Sequence, residues 1–303
     1  MKKYRTTLRL FVVFLILGMV FTACGTGNRK SEADNEIQIV TSFYPLYVFT
    51  VNITKDVPGV KVVNMTEPQT GCLHDYQLVA SDMKTLSKAD IFVINGAGME
   101  SFLEEVTQQL PKLTIIEGSK GIPLLIDENG EENPHVWVGI SGAIQEVKNI
   151  ADGLMAADPA NAERYRKNCE EYVARLEALK DKMHEALKDV KTRDIVTFHE
   201  AFPYFAQEFN LNIIAVIERE PGSEPTAGEM IETIEAINRT GAKVLFVEPQ
   251  YSPKSAEAIA QQTGARIYTL DPVATGPKDA SPDSYEKTME KNLDVLLEAL
   301  NGK

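Results

Sequence analysis

Short β-branched runs alternate with stretches of helical period along most of this chain. Ile37–Thr41, Val60–Met65, Ile91–Asn95 and Leu113–Glu117 read as four strands. Helical stretches fall between them: one from about Leu46, one over Ser81–Ser87 with Ser81 as N-cap, and one around Glu100–Gln108. The plan then repeats. Asp194–Phe198, Asn212–Ile217, Lys243–Val247 and Arg266–Leu270 are strands, Ala227–Arg239 is the clearest helix between them, and a last helix covers Ser284–Leu300. Such alternation predicts parallel βαβ units. The halves share element order without evident sequence similarity.

Between them, residues 159–190 contain no glycine and no proline after Pro159. Tyr165, Tyr172, Leu176, Leu179, Met183 and Leu187 recur at helical spacing, and Asp158-Pro159 is a suitable start. A helix of roughly 31 residues would span about 47 Å, enough to run beside both halves as a stiff strut. The expected architecture is α/β, with two parallel-sheet lobes joined by one long rigid helix and any shared site in the cleft between lobes. Its segments are a signal peptide over 1–23, a flexible tether over 24–36, an N-terminal lobe over 37–158, the linking helix over 159–190 and a C-terminal lobe over 191–303.

Charge and the N-terminus narrow the setting. The chain of 303 residues carries a net charge of -13, which argues against nucleic acid as a partner. Lys2, Lys3, Arg5 and Arg9 precede an apolar run from Leu10 to about Val20, too short for a comfortable membrane span, so the segment reads as an export signal. Ala23-Cys24 fits lipoprotein processing, with Cys24 as the lipidated new N-terminus, although Phe21 stands where leucine is usual. The mature protein is expected outside the cytoplasm, anchored to the membrane by that lipid. Cys72 and Cys169 remain, and no disulfide between them is expected. Cys72 is two residues from His74 and is a candidate metal ligand.

Three of the four histidines sit in strings suited to holding a metal: Gly71-Cys72-Leu73-His74, Asn133-Pro134-His135-Val136-Trp137 and Phe198-His199-Glu200. Spacings of 61 and 64 residues exclude a zinc-finger knuckle, so the fold must assemble any shared site. Each histidine, and Asp271 as well, falls at or just beyond the C-terminal end of an expected strand, where open parallel sheets bind ligands. Glu200, Glu218 and Glu248 are alternatives to Asp271 as fourth donor, or acceptors for an imidazole N–H. His184, on the long helix, reads as a solvated residue.

These strings, with Ser81-Asp82-Met83, Asn95-Gly96-Ala97-Gly98-Met99-Glu100 and Val247-Glu248-Pro249-Gln250, resemble the zinc- and manganese-specific solute-binding lipoproteins of ABC importers over essentially all of the mature chain. The resemblance implies a metal held between lobes by His74, His135, His199 and Asp271, a metal ABC permease as partner, and no enzymatic activity. Manganese-type members tend to carry a carboxylate where this chain has His199. Three imidazoles and one carboxylate favour Zn2+, with Mn2+ the alternative. The acidic stretch 127–132 lacks the histidines that many zinc-type members carry there. A monomer is expected, with affinity falling below about pH 6.5 as imidazoles take protons. Two competing readings are a zinc hydrolase using Glu200 as base and an adhesin with a structural metal. Against the first, Asp271 would close the site and no HExxH string is present.

Overall fold

The computed structural model describes residues 36–74, 76–126, 130–217, 225–277 and 280–302. The export signal, Cys24, nearly all of the tether, Asp75, residues 127–129 of the acidic stretch and Glu218 lie outside the described residues. Among the described residues, no helix is long and apolar enough to cross a membrane.

All eight expected strands form, each within a residue or so of its expected ends. β1 (Ile37–Thr41), β2 (Val60–Asn64), β3 (Ile91–Ile94) and β4 (Thr114–Glu117) make one sheet in the order β2-β1-β3-β4. β5 (Asp194–Thr197), β6 (Asn212–Val216), β7 (Val244–Val247) and β8 (Arg266–Thr269) make a second in the order β6-β5-β7-β8. Every pairing is parallel. The central strands β3 and β7 are buried throughout, because helices cover both faces of a parallel sheet, and their sequences Ile-Phe-Val-Ile and Val-Leu-Phe-Val are accordingly apolar without alternation. The edge strands β2 and β8 carry Lys61 and Arg266.

The helices are α1 (Tyr44–Ile53), α2 (Ala80–Leu86), α3 (Leu103–Gln109), α4 (Ile140–Ala157), α5 (Ala162–Leu187), α6 (Pro203–Glu208), α7 (Ala227–Thr240), α8 (Lys254–Thr263) and α9 (Ser284–Asn301). Three depart from expectation. Ser81 lies inside α2 instead of capping it; the Asp82 carboxylate closes that end, accepting from Val79 N at 2.9 Å and Tyr76 Oη at 2.9 Å. α3 starts at Leu103, because Glu100 is folded back as a buried acceptor for Ser42 Oγ, Asn95 N and Gly96 N. α4 was not anticipated; two glycines, Gly142 and Gly153, weaken its helical signature, yet each gives close packing, since a Cβ would strike Val136 at 2.2 Å or Ile116 at 2.6 Å.

The long helix α5 has 26 residues, preceded by a 3-10 turn over Pro159–Asn161 that absorbs the first part of the expected span. Its length is therefore about 39 Å. The foreseen stripe is buried, with Cys169 added to it, and packs against α4, α1 and α9. Arg175 ties three helices, with Nε 2.9 Å from Glu286 on α9 and Nη2 donating to Asn52 Oδ1 on α1 at 2.6 Å. His184 is exposed. The larger hydrophobic core runs from the first sheet through α5 to α9 and takes Phe202, Phe205 and Tyr285 from the second half, while a smaller one gathers Val196, Phe198, Leu245 and Ile237.

Glu146 on α4 is fully buried, and neither of its carboxylate oxygens has a hydrogen-bond partner among the described residues. Burial, and then the nearby Glu100, push its carboxyl well above the ordinary range. The folded chain thus holds this proton more tightly than the unfolded chain, so stability falls as pH rises above about 4.3. Glu146→Gln is expected to melt higher than the parent at about pH 9 and close to it at about pH 4, since glutamine has no buried charge to form as pH rises. Paired thermal melts check this.

Candidate metal centre

His74 stands in the loop after β2, His135 in the loop after β4 and His199 in the loop after β5. The three rings converge. His74 Nε2 and His135 Nε2 are 3.2 Å apart, and the ring of His199 lies 4.8 Å from that of His135 and 6.3 Å from that of His74. Two imidazole nitrogens on one tetrahedral zinc stand about 3.3 Å apart, given Zn–N bonds of about 2.0–2.1 Å. The His74–His135 spacing is already that of a shared ion.

The rings are oriented from behind. Asn133 Nδ2 donates to Glu200 O at 2.9 Å, which leaves Asn133 Oδ1 to accept from His135 N at 3.0 Å. The same oxygen is 3.1 Å from His135 Nδ1, so that nitrogen carries the proton and Nε2 keeps its lone pair for the cleft. His199 Nδ1 lies 3.2 Å from Glu248 Oε1, with both side chains 1% exposed. The pair is close but not aligned as a hydrogen bond. Glu248 follows β7, the strand beside β5, so this couple sits at the point where the second sheet reverses its strand order. Burial, followed by the neighbouring His199 and His74, holds His135 well below the usual imidazole range.

The glycine-rich string after β3 braces both first-lobe histidines. Asn95 Nδ2 donates to Pro134 O at 3.0 Å, beside His135, and Leu73 N donates to Met99 Sδ at 3.3 Å, beside His74. Gly96 has φ +81, and a Cβ there would meet Glu117 at 2.3 Å, so only glycine fits. The Asn133–Trp137 string also crosses the cleft: besides the Asn133–Glu200 bond, Trp137 Nε1 donates to Pro272 O at 2.9 Å.

Asp271 closes β8. Its Oδ1 accepts from Val273 N at 2.8 Å, and burial raises its carboxyl to about 6, with Glu248 adding to the rise. Among the described residues, the group whose donor atoms all lie within 4.8 Å of one another is Cys72, His135 and His199; His74 and Asp271 both stand outside it. Among the described residues, Cys72 and Cys169 form no disulfide. Asn95, Met99 and Asn133 as ring supports were not foreseen; their inclusion in the recurrent strings was the only signal.

A cavity of about 260 Å³ opens onto the three histidines, with Ala97, Glu131, Glu132 and Glu200 on its walls. A larger one, about 910 Å³, lies along β6 and α7 and is lined by no histidine. The chemistry therefore belongs to the smaller.

Comparison with known proteins agrees with this geometry. Residues 39–299 match the family model ZnuA, zinc-uptake complex component A, periplasmic. The high-affinity zinc uptake system protein ZnuA of Bacillus subtilis is 30% identical over 316 positions, covering 96% of this chain and 97% of that protein. The zinc-binding lipoprotein AdcA of Streptococcus pneumoniae is 28% identical over 93% of this chain, which spans 58% of AdcA's length. Among solved structures, the laminin-binding protein Lmb of Streptococcus agalactiae, described as having adhesin and metal-transporting activity, superposes with a TM-score of 0.78 at 29% identity, over 88% of this chain and 99% of that one. The Mn2+ complex of FpvC from Pseudomonas aeruginosa gives 0.80 at 30% identity over 88% and 99%. With two parallel-sheet lobes, a histidine cluster between them and a family model spanning nearly all described residues, the chain belongs to the ZnuA family of periplasmic zinc-uptake components, solute-binding proteins and not enzymes.

Proposed function

We propose that this protein captures zinc outside the cytoplasm through His74, His135, His199 and Asp271 and passes it to the permease of a metal ABC importer. The observation that carries this reading is the 3.2 Å approach of His74 Nε2 to His135 Nε2, with Asn133 fixing the tautomer that leaves a lone pair facing the cavity. Imidazole is a borderline donor that suits zinc better than the harder manganese ion. The relatives named for zinc support the same choice, and FpvC with Mn2+ keeps manganese as the alternative. One chain supplies every donor, so a monomer suffices. Residues 37–158 and 191–303 serve as the two lobes, with 159–190 as the link.

Titration calorimetry with zinc and with manganese tests the reading. One zinc per chain, displaced poorly by manganese, is expected; a chain that binds neither ion overturns it. Affinity is also expected to fall with pH. His135, held below its usual range, stays neutral further into acid, so its protonation is not the first event. Asp271, raised to about 6, takes up a proton as pH drops through that value and ceases to be an anionic donor. Zinc titrations across that range should show the fall, and Asp271→Asn should flatten it.

The tether reading adds an anchor at Cys24, supported by AdcA's description as a lipoprotein. Cys24→Ser is expected to move the protein from the membrane fraction to the soluble exported fraction, read by immunoblotting. Retention in the membrane would count against lipid attachment there.

A further inference from the structure

We propose that Cys72 is a direct sulfur donor to the bound zinc, making this a mixed imidazole–thiolate centre that favours thiophilic ions over manganese. The proposal rests on the reading that the three histidines hold the metal. Cys72 Sγ, a ring nitrogen of His135 and a ring nitrogen of His199 all lie within 4.8 Å of one another. Donors sharing a tetrahedral zinc stand about 3.3–3.6 Å apart, from bonds of about 2.0–2.1 Å to nitrogen and 2.3 Å to sulfur. A common ion therefore asks for a contraction of about 1 Å, of the size that a side-chain rotation supplies.

The local chain explains why a thiol arrives there. Leu73 is 0% exposed and packs in the first-lobe core, with its N–H held by Met99 Sδ at 3.3 Å. Cys72 beside it is half-buried and packs against the same core, with its Sγ at the edge of the space that His74 lines. Gly71, with φ +82, makes the bend that starts this segment. The sulfur is reduced, and the other described cysteine, Cys169, is buried in the α5 stripe.

His74 and Asp271 both stand outside this close group, so sulfur joins His135 and His199 as one of three donors already gathered. Binding releases the thiol proton to solvent as the Sγ–metal bond forms. Thiolate strengthens the hold on Zn2+ and Cd2+ and adds little for Mn2+.

Cobalt(II) loading of the purified mature chain is the test. Tetrahedral cobalt bands in the visible are expected together with a near-ultraviolet thiolate-to-cobalt charge-transfer band. Cys72→Ser should keep the visible bands, lose the ultraviolet one and lower the zinc-over-manganese preference at least about tenfold, the smaller loss seen when even an outer support of a metal ligand is removed. Cys169→Ser should change none of these. In the parent chain, zinc should also shield Cys72 from alkylation, a readout that needs no variant to fold. Visible bands without the charge-transfer band, or alkylation at the same rate with and without zinc, overturn the sulfur donor while leaving the histidine site standing. Failure of cobalt and zinc to bind at all overturns the histidine reading, and this proposal with it.

Discussion

Replacing His199 with alanine is expected to lower zinc affinity by at least about 100-fold, more than the 10–100-fold cost of losing a ligand's outer support. The loss has two parts. An imidazole donor disappears, and Glu248, 1% exposed, faces the vacated space without the ring 3.2 Å away. Glu248 Oε1 has no hydrogen bond in the parent either, so what the variant loses is the packing of a buried ring, and it should also melt lower than the parent without metal. His199→Asp separates the two. It keeps a donor but sets a second carboxylate near Glu248 and exchanges a borderline ligand for a hard one, so zinc binding should suffer more than manganese binding. Calorimetry with both ions checks these outcomes; unchanged zinc affinity in His199→Ala would remove His199 from the site.

Trp137→Ala is expected to cost the most stability. Its side chain is 0% exposed, meets Phe43 edge-on at 5.0 Å and donates to Pro272 O at 2.9 Å, while its backbone oxygen accepts from Tyr285 Oη at 2.8 Å. Truncating a buried tryptophan costs about 3–5 kcal/mol, and in a chain of this size each kcal/mol moves the melting temperature by about 2–4 °C. A drop of roughly 10 °C in thermal unfolding follows from those two figures. The indole also joins the segment carrying His135 to the residue after Asp271, so zinc affinity should fall although no ligand has been removed. Trp137→Phe keeps most of the volume and loses the N–H; it should recover most of the stability and less of the affinity. Saturating zinc, at about 1,000 times its dissociation constant, should return about 4 kcal/mol to any variant that still binds it.

The strands were legible because parallel sheets covered on both faces demand continuous apolar runs, and Ile91–Ile94 and Val244–Val247 have no other plausible use. The long helix was legible from its stripe, yet its beginning was not, since a 3-10 turn at Pro159–Asn161 shares the proline and polar residues of a helix start. α4 escaped notice because Gly142 and Gly153 lower helix propensity locally, while the contacts that require glycine there, to Val136 and Ile116, exist only in the folded chain.

The same division runs through the site. Residue type and local order were sufficient to single out His74, His135 and His199 as candidate ligands and to put each after a strand, because strand C-termini are where an open parallel sheet leaves space and free loops. Distances between residues more than sixty positions apart are set by how two sheets and α5 pack, and no local pattern encodes them. That packing brought His74 to within 3.2 Å of His135, stationed Glu248 behind His199, and put Cys72 in the close donor group with His135 and His199, leaving His74 and Asp271 outside it. Local chemistry decided which side chains are able to hold a metal, and tertiary packing decided which of them meet, since ligation depends on ångström separations that only the assembled cores hold in place.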